Sequence, residues 1–188
     1  LLNNTAEENG GGIYSENSNL EIFHLTMFDN LSNSGGVIHA NNNSNITLYN
    51  TILWNNDNSE MLSFNSDSDL FYNHSIISNY LDNANTQYIY PEFTDLHSFE
   101  LSRVSNAIGG GENLTNLPLT DLYGNPRILS QYGINENKPD LGAVENQLGS
   151  AMLYDWFVSF NGDDSFSGLD FNEPIQSINL AIEKSLNV

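Results

Sequence analysis

The chain has 188 residues, with 4 Lys+Arg against 24 Asp+Glu and a formal net charge of −20. That sign excludes binding driven by basic side chains, whether to nucleic acid phosphates or to anionic lipid. With no Cys, a disulfide framework, a thiolate metal site and a Cys nucleophile are excluded too. No run of about 18 apolar residues is present, so no membrane-spanning segment is expected. Hydrophobic residues at 39% and aromatics at 11% are too frequent for a disordered acidic tail. The chain opens on Leu1 in a polar stretch and closes inside a helical pattern, without a signal-peptide pattern. It reads as an internal piece of a longer multi-module chain, which leaves export open.

Asn supplies about one residue in six. Asn, Ser and Gly mark turns, and the short apolar-alternating runs between them read as strands. The runs repeat. Leu20, Ile46 and Leu70 align at steps of 26 and 24 residues, as do Ile22, Leu48, Tyr72 and Met27, Leu53, Ile77. A further column, Ile13, Val37, Met61, steps by 24 and 24. This period is that of a solenoid and is too short for a propeller blade. The Leu-x-x-Leu-x-Leu spacing of a leucine-rich repeat is missing. A parallel β-helix remains, one coil per repeat, with like residues stacked roughly 4.8 Å apart in an internal ladder.

His24, Asn50 and His74 hold one polar position in the three copies. Two His in one column suggest half a metal site. They are two coils apart, roughly 9–10 Å, so the reading adopted is a corner ladder that satisfies backbone groups left unpaired by the turn.

These residues resemble right-handed parallel β-helix proteins of the pectate-lyase-like superfamily. Gly-Gly-Gly-Ile at 10–13 and Gly-Gly-Val-Ile at 35–38 are similar to the Gly-Gly-Ala-Ile motif of polymorphic outer-membrane and adhesin-like repeats. Met27-Phe28-Asp29-Asn30 and Leu53-Trp54-Asn55-Asn56 resemble its partner motif Phe-x-x-Asn, with Met and Leu for Phe. In the third copy the Gly-Gly is gone.

Residues 90–146 carry four ordered motifs: Tyr90-Pro91-Glu92-Phe93, Leu101 to Gly111 with Ser105-Asn106-Ala107-Ile108, Asp121-Leu122-Tyr123-Gly124-Asn125-Pro126-Arg127, and Asp140-Leu141-Gly142-Ala143-Val144-Glu145. Their order resembles the closing segment of bacterial β-helix proteins known as the choice-of-anchor Q domain, with Asn106 in place of a Pro. Read physically, the segment closes the coils. Arg127, one of two arginines, is suited to a forked ion pair, with Asp121, Asp140 or Glu145 as partner. Asp121 and Asp140 are the expected partners.

The last segment starts afresh. Trp156 to Ser159 reads as a strand, 161–168 as a polar loop, and Pro174 to Ile182 as a helix with Pro at its start. Ile175, Ile178, Ile182 and Leu186 fall on one helix face. This resembles the opening of another β-helix module, whose helix would cap an apolar coil end. The expected fold is therefore all-β: a single-stranded right-handed parallel β-helix (solenoid) with a short C-terminal capping helix of a following module. The expected divisions are coils at 1–100, a closing segment at 101–148 and a second module at 149–188.

No catalytic residue is assigned. A β-eliminating lyase needs a cationic base near calcium-binding carboxylates, and Arg103, Arg127, Lys138 and Lys184 all lie off the repeat strands. The pectin-hydrolase motif set is missing, as are nucleophile-elbow, Walker and His-Glu-x-x-His motifs. Asn161, Asp163 and Asp164 place three oxygen ligands in one loop, a candidate calcium site; Asp67 and Asp69 form a second acidic pair. Calcium is the one cofactor these residues suggest. The functional expectation is an extracellular or cell-surface bacterial scaffold that binds polysaccharide or cell-surface glycans passively. The alternative is part of a polysaccharide lyase or glycoside hydrolase with its active coils elsewhere, and a protein-binding adhesin is a third reading.

Overall fold

In the computed structural model, residues 1–33, 36–56, 61–78, 86–128, 138–147, 156–169 and 172–186 are described. The chain divides into two compact units, Leu1–Gly149 and Ser150–Val188.

In the first unit β1 (Thr5–Ala6) precedes three coils. The first coil is β2 (Ile13–Glu16), β3 (Asn19–Phe23) and β4 (Thr26–Phe28). After β5 (Leu31–Ser32), the second is β6 (Ile38–Asn41), β7 (Asn45–Tyr49) and β8 (Ile52–Trp54). The third is β9 (Leu62–Phe64), β10 (Asp69–Asn73) and β11 (Ser75–Ile77), followed by β12 (Thr86–Gln87). Equivalent strands pair in parallel to form three sheets: β2-β6-β9, β3-β7-β10 and β4-β8-β11-β12. This is an all-β parallel solenoid.

The register follows the sequence columns. Leu20 pairs with Ile46 and Ile46 with Leu70; Ile22, Leu48 and Tyr72 form the next rung, and Met27, Leu53 and Ile77 another. One column is corrected. Ile13 pairs with Ile38, and Ile38 with Leu62, so Val37 and Met61 sit one residue before the expected row. The Gly10-Gly11-Gly12 turn of the first copy has one residue more than its counterpart, which displaces the count. Val37 and Met61 are still buried in the same core.

Corners explain the asparagines. His24, Asn50 and His74 have φ of 52°, 54° and 46°, and Asp29 and Asn55 have φ of 52° and 49°. Asn, Asp and His are the non-glycine residues that tolerate this left-handed region best. Inside the corner after the third sheet, an amide ladder climbs the stack. Asn4 N–H donates to Asn30 Oδ1 (3.1 Å), and Asn30 N–H donates to Asn56 Oδ1 (2.9 Å). Serines do the same between the first and second sheets, Ser18 N–H donating to Ser44 Oγ at 3.2 Å and Ser44 N–H to Ser68 Oγ at 3.0 Å.

Two cores result. Ile38, Ile46, Leu48, Leu53 and Met27 fill the interior. Outside the third sheet, Ile52, Ile76 and Phe28 meet Leu101, Ala107, Leu141, Phe99 and Val144. That sheet is covered on both sides, which matches its continuous apolar runs. The covering segment contains an antiparallel hairpin, β13 (Phe93–Asp95) and β14 (Glu100–Leu101). Residue 100, the expected end of the coils, lies within β14.

In the second unit Val158 bridges Ile175, and α1 spans Ile178–Leu186. The helix begins later than Pro174 because Ile175 is held in that bridge. Ser177 Oγ caps it, accepting from Leu180 N–H at 3.2 Å. The expected apolar face is also redrawn. Ile175 and Ala181 are buried, whereas Ile178 and Ile182 are 67% and 54% exposed.

The stacked interior predicts position-specific costs. Leu48→Ala, at a fully buried rung, is expected to destabilise by about 2–5 kcal/mol. Thr47→Ala, on the other face of β7, is expected to stay within about 1 kcal/mol. Urea unfolding of the two variants checks this.

Candidate functional site

The corner column does more than turn the chain: it fastens the covering segment. Asn50 pairs with residue 112 as one peptide pairs with another. Its Oδ1 accepts from Glu112 N–H at 2.8 Å and its Nδ2 donates to Glu112 O at 2.9 Å. His24 Nδ1 lies 3.1 Å from Asp140 O. A carbonyl only accepts, so Nδ1 carries the proton and Nε2 is left to accept from Asn50 Nδ2 at 3.3 Å. Gly142 N–H donates to Asn50 O at 2.8 Å, and Ala143 N–H to Thr26 Oγ1 at 2.9 Å. Gly142 has φ +88°, and a Cβ there would stand 2.6 Å from Thr26 Oγ1. Only glycine fits that approach.

Behind these contacts lies a buried charge cluster of Arg127, Asp121, Asp140 and Glu145. The ion pair is Arg127 Nη1 to Glu145 Oε2 at 3.4 Å, both side chains buried. Asp121 and Asp140 add their charge to the surroundings of Arg127. Those two carboxylates spend their oxygens on backbone N–H groups. Asp121 accepts from Tyr123, Asn125 and Glu145, and Asp140 from Gly109 and Asn146. Arg127 also donates to the Gly142 and Ala143 carbonyls at 3.2 and 3.0 Å. The motifs at 121–127 and 140–145 thus form one latch.

One guanidinium faces three carboxyl groups, and the imbalance shows in their proton affinities. Burial pushes Glu145 up to about 9, with the neighbouring Asp140 charge adding to it. Burial also raises Asp140, to about 6. The two titrate as a pair. For Asp121 burial works upward, but its N–H donors outweigh it and hold it below its ordinary value. Burial and then the Arg127 charge lower His24 to about 3, in keeping with its neutral tautomer.

A cavity of about 310 Å³ opens beside the latch, lined by Thr94, Glu100, Arg103, Tyr123 and Asn125 among others. In the second unit Asp163 Oδ1 accepts from Ser165 N–H at 2.8 Å. Asp164 Oδ1 accepts from Gln176 and Ser177 N–H at 2.9 and 2.7 Å. Both aspartates close their own loop, and Asn161 N–H bonds Ser159 Oγ. Among the described residues, no three His, Asp or Glu side chains converge as a metal-binding group. None of their helices is long and apolar enough to cross a membrane.

The outward rows of the first two sheets carry aromatic and amide side chains. Phe23 stacks on Tyr49 with centroids 5.3 Å apart, and Tyr14 on His39 at 5.6 Å. Asn45 Nδ2 donates to Asn19 Oδ1 at 2.9 Å, Asn42 Nδ2 to Glu16 Oε1 at 2.6 Å, and Asn41 Nδ2 to the Tyr14 hydroxyl at 2.9 Å. Glu112 and the Trp54 ring were not singled out by sequence reasoning. The available signal was the unbroken apolar run of the third sheet's strands, which marks a face that something must cover.

Residues 1–16 match the sequence profile of the Chlamydia polymorphic membrane protein repeat. They span β1, the glycine turn and β2. No curated protein and no solved structure matches the chain.

The latch predicts a pH profile. His24 is depressed, so its stabilisation is present above its ordinary value of 6.5 and lost as pH falls toward 3. Asp140 and Glu145 are raised, so theirs is present below their ordinary values of 3.8 and 4.5 and lost as pH rises through about 6 and then 9. The melting temperature is expected to fall between pH 6 and pH 9. Glu145→Gln, which keeps the neutral form, flattens that fall, and His24→Asn flattens the acid limb. Thermal melts across this range check both.

Proposed function

We propose that this chain is a surface-associated, adhesin-like scaffold of an exported bacterial protein that binds glycans passively through the outside of its coils. The observation that carries the reading is the pair of outward rows on β2-β6-β9 and β3-β7-β10. Rings and amides there are held in register by the backbone ladder beneath them. Such a surface is ordered before a ligand arrives, so little side-chain entropy is lost on binding. Aromatic faces supply stacking area, and Asn, Thr and Glu supply hydrogen bonds, the usual division of labour on a polar recognition surface. Support also comes from the match of residues 1–16 to a membrane-protein repeat and from the parallel solenoid itself. The likeness of residues 90–146 to a choice-of-anchor Q closing segment, and of the coils to the pectate-lyase-like superfamily, belong to the same proposal.

Binding of the purified chain to an immobilised panel of polysaccharides, with soluble glycan as competitor, tests it. Binding that soluble glycan displaces is expected, with Tyr49→Ala weakening it several-fold. Capture of a protein partner that glycan does not displace would make the chain a protein-binding adhesin instead.

Calcium at Asn161, Asp163 and Asp164 is a separate proposal, supported by the oxygen-rich loop. The bonds of both aspartates to backbone N–H groups are ones that a loop makes without metal. Calcium binding there is expected to raise the melting temperature in millimolar calcium. An unchanged melt disposes of it.

A further inference from the structure

We infer that Trp54, Tyr88 and Tyr90 form a stacking site for a neutral pyranose glycan. The inference rests on the glycan-binding reading above and adds to it a further place, on the third sheet, and a ligand class.

Trp54 lies on β8 in register with Phe28 of β4, on the outer side of the third sheet. Part of its ring packs on the core beneath the covering segment. Tyr88 follows β12, which extends that sheet from β11. Its ring stacks on the indole with centroids 5.7 Å apart and planes 21° from parallel. Tyr90 meets the same indole edge-on, at 5.7 Å and 72°. The three rings therefore make a corner and not a flat patch. The anchor is half-buried, but Tyr88 and Tyr90 are 53% and 41% exposed.

A fixed, exposed aromatic corner suits the apolar C–H face of a pyranose. The rings offer area at low entropy cost, having few rotatable bonds to freeze. Polar groups flank it. Asn55, next to Trp54, is exposed and its amide bonds Asp29 on the neighbouring coil, and exposed Gln87 precedes Tyr88. These can serve the hydroxyl groups of a sugar. Charge selects the class. A chain of net charge −20 repels carboxylated and sulfated glycans, whereas a neutral sugar meets no such barrier.

The chain has two tryptophans, so Trp156→Phe leaves Trp54 as the sole indole. Titration of this variant with hexasaccharides of glucose, galactose and mannose, and with hexagalacturonate, is read by Trp54 emission. Calorimetry on the unaltered chain runs in parallel. A blue shift with at least one neutral hexasaccharide, and none with hexagalacturonate, is expected. Tyr88→Ala and Tyr90→Ala should each weaken that binding roughly 3- to 10-fold with the melting temperature kept. Calorimetric binding without a change in Trp54 emission overturns this site but leaves the glycan reading standing. A response to hexagalacturonate as strong as to neutral sugars overturns the ligand class. No glycan binding by either readout removes both readings.

Discussion

A coil that lies flat on its neighbour has to turn at the same residue every time, because a rung that slips by one residue points its side chains to the opposite face. That constraint governs the first unit. It is met by placing Asn, Asp or His in the left-handed region at equivalent corners, His24, Asn50 and His74 on one edge and Asp29 and Asn55 on the next. These residues pay little steric penalty there. The side chains of His24 and Asn50 then bond backbone groups of the covering segment, and Asn55 bonds Asp29 one coil away. The abundance of asparagine follows from this requirement, and so does the tolerance of unequal loops between coils: the repeat absorbs steps of 24, 25 or 26 residues as long as the corners remain aligned.

Stacking alone leaves one sheet with an apolar exterior. Phe28, Ile52, Trp54 and Ile76 would face water if the segment after β12 did not return over them. The return is fastened by polar contacts at the corner column and by a latch of buried charge. Burying three carboxyl groups against one guanidinium costs more than the ion pair returns, unless the remaining lone pairs meet N–H donors. The Asp121 and Asp140 contacts do that. The residual imbalance is settled by retaining a proton on the Asp140–Glu145 pair. The latch fixes the geometry of the segment more than it adds stability.

The same architecture separates the work of the two faces of each strand. Interior rungs supply stability, and exterior rows are available for recognition because their spacing is set from within. Rings that stack across coils, such as Phe23 with Tyr49 on paired strands, are set 5.3 Å apart by the backbone ladder beneath them. The proposed passive binding surface needs no more than that.

Periodicity was legible in the sequence because the ladder is a local matter: Leu20, Ile46 and Leu70 repeat at nearly constant spacing, and parallel pairing follows from it. The position of His24, Asn50 and His74 as a polar corner was legible for the same reason. The pairing of Ile13 with Ile38 was not, since one extra glycine shifts a count that only backbone hydrogen bonds can reset. Nor was the choice of Glu145 as partner of Arg127. Three carboxylates lay within reach along the chain, and only the folded geometry brings the Glu145 oxygen within 3.4 Å of the guanidinium while Asp121 and Asp140 meet the N–H groups of Tyr123, Asn125, Gly109 and Asn146. Helix α1 likewise begins where the Val158–Ile175 bridge releases the chain and not at Pro174. Spacing in one dimension determined the coils; contacts between residues 62 to 117 positions apart fasten the covering segment to them, because those contacts exist only once the segment has folded back.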